Sequence, residues 1–160
     1  MSTWLVVTLI AVVAVIVVVK RLIGEPLNVR DLFVPPIALI GVGVWLLCET
    51  DGLTRADIAW ATAGAALGLA LGAVRGMTIR VFDKGGVLWQ RYTGRTFLVV
   101  VASLAASAGF GLFATAMGMH EGARPVQLSI GVGFLGEALV VGRRALATGI
   151  PFAPETRRRW

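Results

Sequence analysis

One carboxylate, Glu137, interrupts an apolar run that begins at Pro125 and stops at Arg143 and Arg144. An ionised side chain at mid-membrane costs roughly 2.5–3.5 kcal/mol on insertion scales, so Glu137 must be protonated, paired or turned towards water. Two chemistries follow from those options. Proton or ion handling would use the acid directly, whereas a structural role would pair it with Arg75, Arg143 or Arg144 near the inner interface. A relay needs a second acid or base deep within a span, and the apolar runs supply none there, Asp57 falling in the first turn of its run at the interface. Met117, Met119 and His120 form the stretch MGMH at the end of the preceding run. Thioether and imidazole groups suit copper(I) or a haem iron, while the plainer reading makes the methionines filler and His120 a favourable residue at a helix C-terminus. Cys48 is the only cysteine, so a disulfide or a CxxC relay within the chain is excluded, and it is expected to pack as a small apolar residue just inside the interface. No Ser/His/Asp set, phosphate loop, HExxH or zinc spacing occurs. The residues therefore assign no catalytic group, cofactor or confident metal site, and an enzyme is the least supported class.

The elements that carry these residues belong to a membrane. Of the 160 residues, 57% are hydrophobic and the mean hydropathy is +0.83, well beyond soluble usage. Five apolar runs give helices over about 4–23, 32–48, 56–74, 97–119 and 126–147, each close to the roughly 20 residues that cross a bilayer. The fold expected is an all-α five-helix transmembrane bundle over 1–150, with a basic tail over 151–160. The first run has no basic residue before it and Lys20 and Arg21 after it. That polarity is the reverse of a signal peptide's, which predicts an uncleaved helix. Pro35 and Pro36 place the start of the second helix near them, where missing N–H groups cost least. Trp4, Trp45, Trp60 and Trp89 fall near predicted interfaces, as aromatic belts do.

Charge then predicts orientation. The formal charge is +6, but the basic residues flank apolar runs and do not line a soluble face, which argues against nucleic acid. Lys20, Arg21, Arg30, Arg75, Arg80, Lys84, Arg91, Arg95, Arg143, Arg144, Arg157, Arg158 and Arg159 fall on one side of a five-span chain; Arg55 and Arg124 fall on the other. Basic residues are retained inside, so the N-terminus is expected outside and the C-terminus in the cytoplasm.

Between the third and fourth runs lies GAVRGMTIRVFDKGGVLWQR. Two β-branched and aromatic stretches flank DKGG, which predicts a cytoplasmic β-hairpin over 78–91. Facing like charges are disfavoured, so the expected register sets Phe82 against Val87, Arg80 against Trp89 and Thr78 against Arg91, with Arg80 over the indole. A two-stranded ribbon is marginal alone and needs a surface. Arg75, Arg80, Lys84, Trp89, Arg91 and Arg95 suit anionic lipid headgroups or a partner.

Small residues recur at helical spacing. Gly64, Gly68, Gly72 and Gly76 share one face of the third helix; Ser103, Ser107, Gly111 and Thr115 share one of the fourth; Ser129, Gly133 and Glu137 lie along the fifth. Lipid gives no hydrophobic drive for helix association, so close backbone approach takes its place. The third-helix groove accepts either a helix of the same chain or a second copy.

The run LGLALGAVRGMTIRVFDKGGVLWQR, with GVGFLGEALVVGRRA, resembles the CcdC-like family of small bacterial membrane proteins, through Arg75-Gly76-x-Thr78 and the strand, turn, aromatic and basic residues after it. The resemblance implies a multi-pass protein of the bacterial plasma membrane, and an association with cytochrome c maturation that one cysteine cannot serve by direct thiol chemistry. The leading expectation is a non-catalytic structural or accessory component whose basic hairpin docks anionic lipid, another membrane protein or a second copy. The alternatives are a small transporter or proton-handling protein centred on Glu137, and an accessory factor in haem or metal handling.

Overall fold

The computed structural model describes residues 19–123 and 126–154. Most of the first predicted helix, Trp4 included, and the arginines of the tail lie outside these residues. In order, the chain forms the end of α1 (residues 19–23), β1 (Glu25–Pro26), α2 (Val29–Cys48), α3 (Arg55–Thr78), β2 (Arg80–Lys84), β3 (Val87–Arg91), α4 (Gly94–Ala116), a 3-10 turn (Glu121–Ala123) and α5 (Val126–Thr148). Among the described residues, three helices, α2, α3 and α4, are long and apolar enough to cross a membrane.

Helix starts are set by side chains that satisfy the otherwise orphaned first N–H groups. Asn28 caps α2 by accepting from the Arg30 N–H at 2.8 Å. The helix therefore starts at Val29, and Pro35 and Pro36 lie inside it rather than at its beginning. Reciprocal capping boxes open α3, between Thr54 and Asp57, and α4, between Thr93 and Thr96; each joins side chain and backbone in both directions. The second box starts α4 at Gly94 instead of Phe97. Its end comes at Ala116, short of Met119, because Gly118 adopts φ +96° and the Met119 N–H returns to the Ala114 carbonyl at 3.0 Å.

The hairpin forms, but in the other register. Lys84 faces Val87, Phe82 faces Trp89 and Arg80 faces Arg91. A shift of two residues leaves every side chain on its own face, so burial does not choose between the registers. The turn does. Gly85 and Gly86 have φ of +69° and +80°, as a two-residue hairpin turn of matching twist requires, and Asp83 accepts from the Gly86 N–H at 2.9 Å. Thr78 is also unavailable as a strand residue, since it ends α3 and its carbonyl accepts from Thr96 Oγ1 at 2.9 Å. The facing arginines are both exposed, where water and salt weaken their repulsion. Lys84, not Arg80, lies over the Trp89 ring, 4.3 Å from its centre.

The ribbon gains a third strand: β1 pairs antiparallel with β3, giving the order β1-β3-β2. Pro26 is tolerated there because β1 is an edge. The Leu27 N–H donates to the Leu88 carbonyl at 2.8 Å, and Leu88 in turn donates to Pro151 at 3.2 Å. Beneath the sheet, Leu27, Ile79, Leu88, Tyr92, Val141 and Ala145 form a buried apolar cluster.

Both α2 and α3 pack on α5, and α4 packs on α3. The third-helix groove is filled from within the chain. A Cβ at Gly72 would overlap the Gly133 carbonyl, and one at Gly76 would come within 2.8 Å of the Glu137 carbonyl. Gly136 answers from α5, against the Leu69 carbonyl. Gly64 sits farther along, facing the Phe110 ring of α4.

Candidate functional site

Polar chemistry concentrates at the two ends of the helices. At the sheet end, Glu137 is only 3% exposed, yet both of its oxygens are engaged. Oε2 accepts from Nε of Arg75, and Oε1 accepts from the Tyr92 hydroxyl at 2.6 Å. Arg21 brings a second cation to within 3.6 Å of Oε1. Elements far apart in the chain deliver these groups: Arg75 comes from the last turn of α3, Tyr92 from the link between β3 and α4, and Arg21 from α1. Two aromatic rings back the guanidiniums, Phe134 at 5.2 Å from Arg75 and Tyr92 at 4.9 Å from Arg21. Arg21 also lies 3.6 Å from Glu25, which accepts from Gln90 Nε2 at 3.2 Å. Burial, reinforced by the Glu137 charge, holds the Tyr92 phenol well above its ordinary pKa. It therefore stays a hydrogen-bond donor across the physiological range.

Of the three partners expected for Glu137, Arg75 is found there and Arg144 is not. One Arg144 nitrogen, Nη1, donates to the carbonyls of Gly76 at 2.9 Å and Ile79 at 2.7 Å, so it closes the C-terminus of α3, as a cation there should. Arg143 is exposed. Arg75, expected among the lipid-facing residues of the ribbon, turns inward, with its side chain 12% exposed. The sequence signals for Arg21 and Tyr92 were weak. Arg21 reads as a topology charge, and Tyr92 is the chain's single tyrosine, without periodic context.

The remaining ribbon cations face outward. Arg80, Lys84, Arg91 and Arg95 are exposed, with Trp89 half-buried beside them. Between β2 and the start of α4 lies an open groove of about 670 Å³, lined by Met77, Ile79, Arg80, Thr93, Arg95 and Arg144 among others.

At the loop end, the carboxylate of Asp57 is fully buried and also saturated. It accepts from Thr54 N–H at 2.9 Å and Thr54 Oγ1 at 2.8 Å, from the His120 N–H at 2.9 Å, and pairs with His120 Nδ1 at 2.9 Å. This bond orients the imidazole, whose side chain is 64% exposed. The three MGMH residues do not converge: Met119 is buried with Ala114 and Ala123, Met117 is 61% exposed, and His120 is held by Asp57. Among the described residues no three His, Cys, Asp or Glu side chains group as a metal site would. Cys48 is exposed at the end of α2, not packed. A cavity of about 40 Å³ between Trp60, Phe110 and Met119 is small and mostly apolar. Ser107 and Gly64 line it, while Ser103 spends its hydroxyl on the Val99 carbonyl at 2.6 Å and Gly111 is buried.

No family model, curated protein or solved structure matches the chain. Of the Arg75-Gly76-x-Thr78 motif, Arg75 binds Glu137 and the Thr78 carbonyl accepts from Thr96.

Proposed function

We propose that the chain is a multi-pass protein of the bacterial plasma membrane, without a catalytic centre of its own, whose sheet end lies in the cytoplasm and docks anionic lipid. The observation that carries this reading is the separation of charge at that end. Arg75 and Arg21 are consumed by Glu137 inside the bundle, whereas Arg80, Lys84, Arg91 and Arg95 stand exposed beside Trp89. Exposed cations next to apolar helices meet the headgroup layer, where each contributes about 1 kcal/mol of attraction to an anionic leaflet. The positive-inside bias supports the orientation, with the N-terminus outside. Glu137, with each oxygen already held, favours a structural role over proton exchange, and the divergence of Met117, Met119 and His120 favours packing roles over metal handling.

The test replaces Arg80, Lys84, Arg91 and Arg95 together by Gln. Insertion and fold should persist, since none of these residues belongs to the buried cluster, and co-purified phosphatidylglycerol should fall sharply against phosphatidylcholine. Unchanged anionic lipid content in the purified variant would count against the reading.

A further inference from the structure

The geometry points to one localised headgroup site: the groove between β2 and α4 holds the phosphate of a single anionic phospholipid, with Arg80 and Arg95 as its cationic walls. This rests on the lipid-docking reading above and narrows it from a basic surface to a defined place.

Three observations converge on the groove. The side chains of Arg80 and Arg95 make no hydrogen bond or ion pair with any described residue, in contrast to Arg21, Arg75 and Arg144, whose charges are already committed. Two guanidiniums held on separate rigid elements, a strand and a helix, can close on one phosphate from two directions, with the fork geometry that suits its oxygens. The groove, at about 670 Å³, is of ligand size. Its floor includes the start of α4, where Thr93 and Thr96 satisfy each other and the helix dipole adds positive potential.

The apolar surroundings favour a lipid over a free anion. Met77 at the mouth of the groove is 64% exposed, and Leu98, one turn into α4, is 74% exposed. Along the same helix Val101 is 61% exposed. A phosphate between Arg80 and Arg95 would thus have apolar surface beside it for acyl chains, while a soluble phosphate would leave those side chains with nothing to cover them. The Arg144 guanidinium, fixed on the α3 carbonyls, contributes its charge to the wall without moving.

The experiment titrates phosphatidylglycerol into the full chain in detergent and counts bound lipid by native mass spectrometry. Two variants of equal charge change are compared: Arg80→Gln with Arg95→Gln, which strips the groove, and Lys84→Gln with Arg91→Gln, which strips the other cations of the β2–β3 ribbon. Because Arg91 faces Arg80 across the ladder, the second pair shares the electrostatic neighbourhood and differs mainly in not lining the groove. Each groove arginine removed takes away a charge-assisted contact to the phosphate, on the order of tenfold, so the groove pair should weaken retention of the first lipid about a hundredfold, and the strand pair, which keeps both contacts, by a clearly smaller factor. Equal loss in both variants would overturn the localised site while leaving the basic end as a lipid-docking surface. No loss in either would overturn both. Displacement of the lipid by excess inorganic phosphate would overturn the lipid assignment in favour of a free anion. All four residues are exposed and outside the buried cluster, and an unchanged elution profile and far-UV spectrum would establish that each variant folds.

Discussion

Among the described residues each end of the helices buries one carboxylate, and the two are satisfied by different means. Asp57 is held by two groups: its own capping residue Thr54 and the more distant His120, whose backbone and ring both reach it, so closing the α3 start and tying down the turn after α4 are one act. Glu137 is held globally, by side chains from α1, α3 and the β3–α4 link. The contrast teaches where cooperativity resides. Losing the Asp57 contacts frees a loop, but losing the Glu137 contacts strands two cations, from α1 and α3, and a phenol from the β3–α4 link.

Breaking that comparison gives the largest expected effect. Glu137→Ala would leave the Arg75 guanidinium buried without its carboxylate, and removing one partner of a buried pair costs about 3–5 kcal/mol. Thermal unfolding in detergent should show a large loss, together with increased protease access to the hairpin. The double variant Glu137→Met with Arg75→Met should recover part of it, because two apolar groups carry no stranded charge.

Next comes the backbone approach that connects the ends. Gly72→Ala would push a methyl group into the Gly133 carbonyl, and overpacking of this kind costs about 1–3 kcal/mol. Gly109→Ala on α4 meets nothing within 4 Å and should be neutral or stabilising, as removal of a helix-interior glycine is worth about 0.5–1 kcal/mol. Parallel melting curves of the two variants decide it, and equal shifts would mean that α3 and α5 are not in contact as described.

The loop end should yield less. Asp57→Asn keeps the shape but removes the charge from a site built of donors, and loss of a cap costs about 0.5–2 kcal/mol. Hydrogen exchange should rise in the turn over 117–123 more than in the sheet. A uniform rise across both ends would contradict the separation of this site from the sheet end.

The smallest effect sharpens the pH behaviour of the sheet end. The Tyr92 phenol is raised in the folded protein above its unfolded value of about 10. A raised acid binds its proton more tightly when folded, so this stabilisation is complete below about pH 10 and is lost as pH climbs towards the folded pKa. Tyr92→Phe should cost about 1 kcal/mol at neutral pH through the lost hydrogen bond and should flatten the alkaline decline measured by denaturation.

Much of the frame was legible in the chain because it rests on local chemistry. DKGG marked the hairpin, and the glycines at 64, 68, 72 and 76 marked a close-packed face. The pairing register was not legible, since like-charge repulsion at an exposed edge is weaker than the demand of Gly85 and Gly86 for a tight turn. Nor was β1, because two residues including a proline give no periodicity; only the neighbouring edge of β3 makes them a strand. The Glu137 cluster was half-visible. That it must be protonated, paired or turned towards water follows from hydropathy alone, and Arg75 was among the candidate partners, but the choice of Arg75 over Arg143, and the arrival of Arg21 and Tyr92, depend on how distant segments meet.

Orientation is the claim on which the lipid-docking account rests, and accessibility of single cysteines measures it most directly. In a Cys48→Ala background, Lys84→Cys at the hairpin and Asp51→Cys at the opposite loop would each be treated with a membrane-impermeant maleimide in intact cells. The account predicts labelling of Asp51→Cys from outside and of Lys84→Cys only after the membrane is opened. Labelling of Lys84→Cys in intact cells, with Asp51→Cys protected, would place the basic end outside and contradict it.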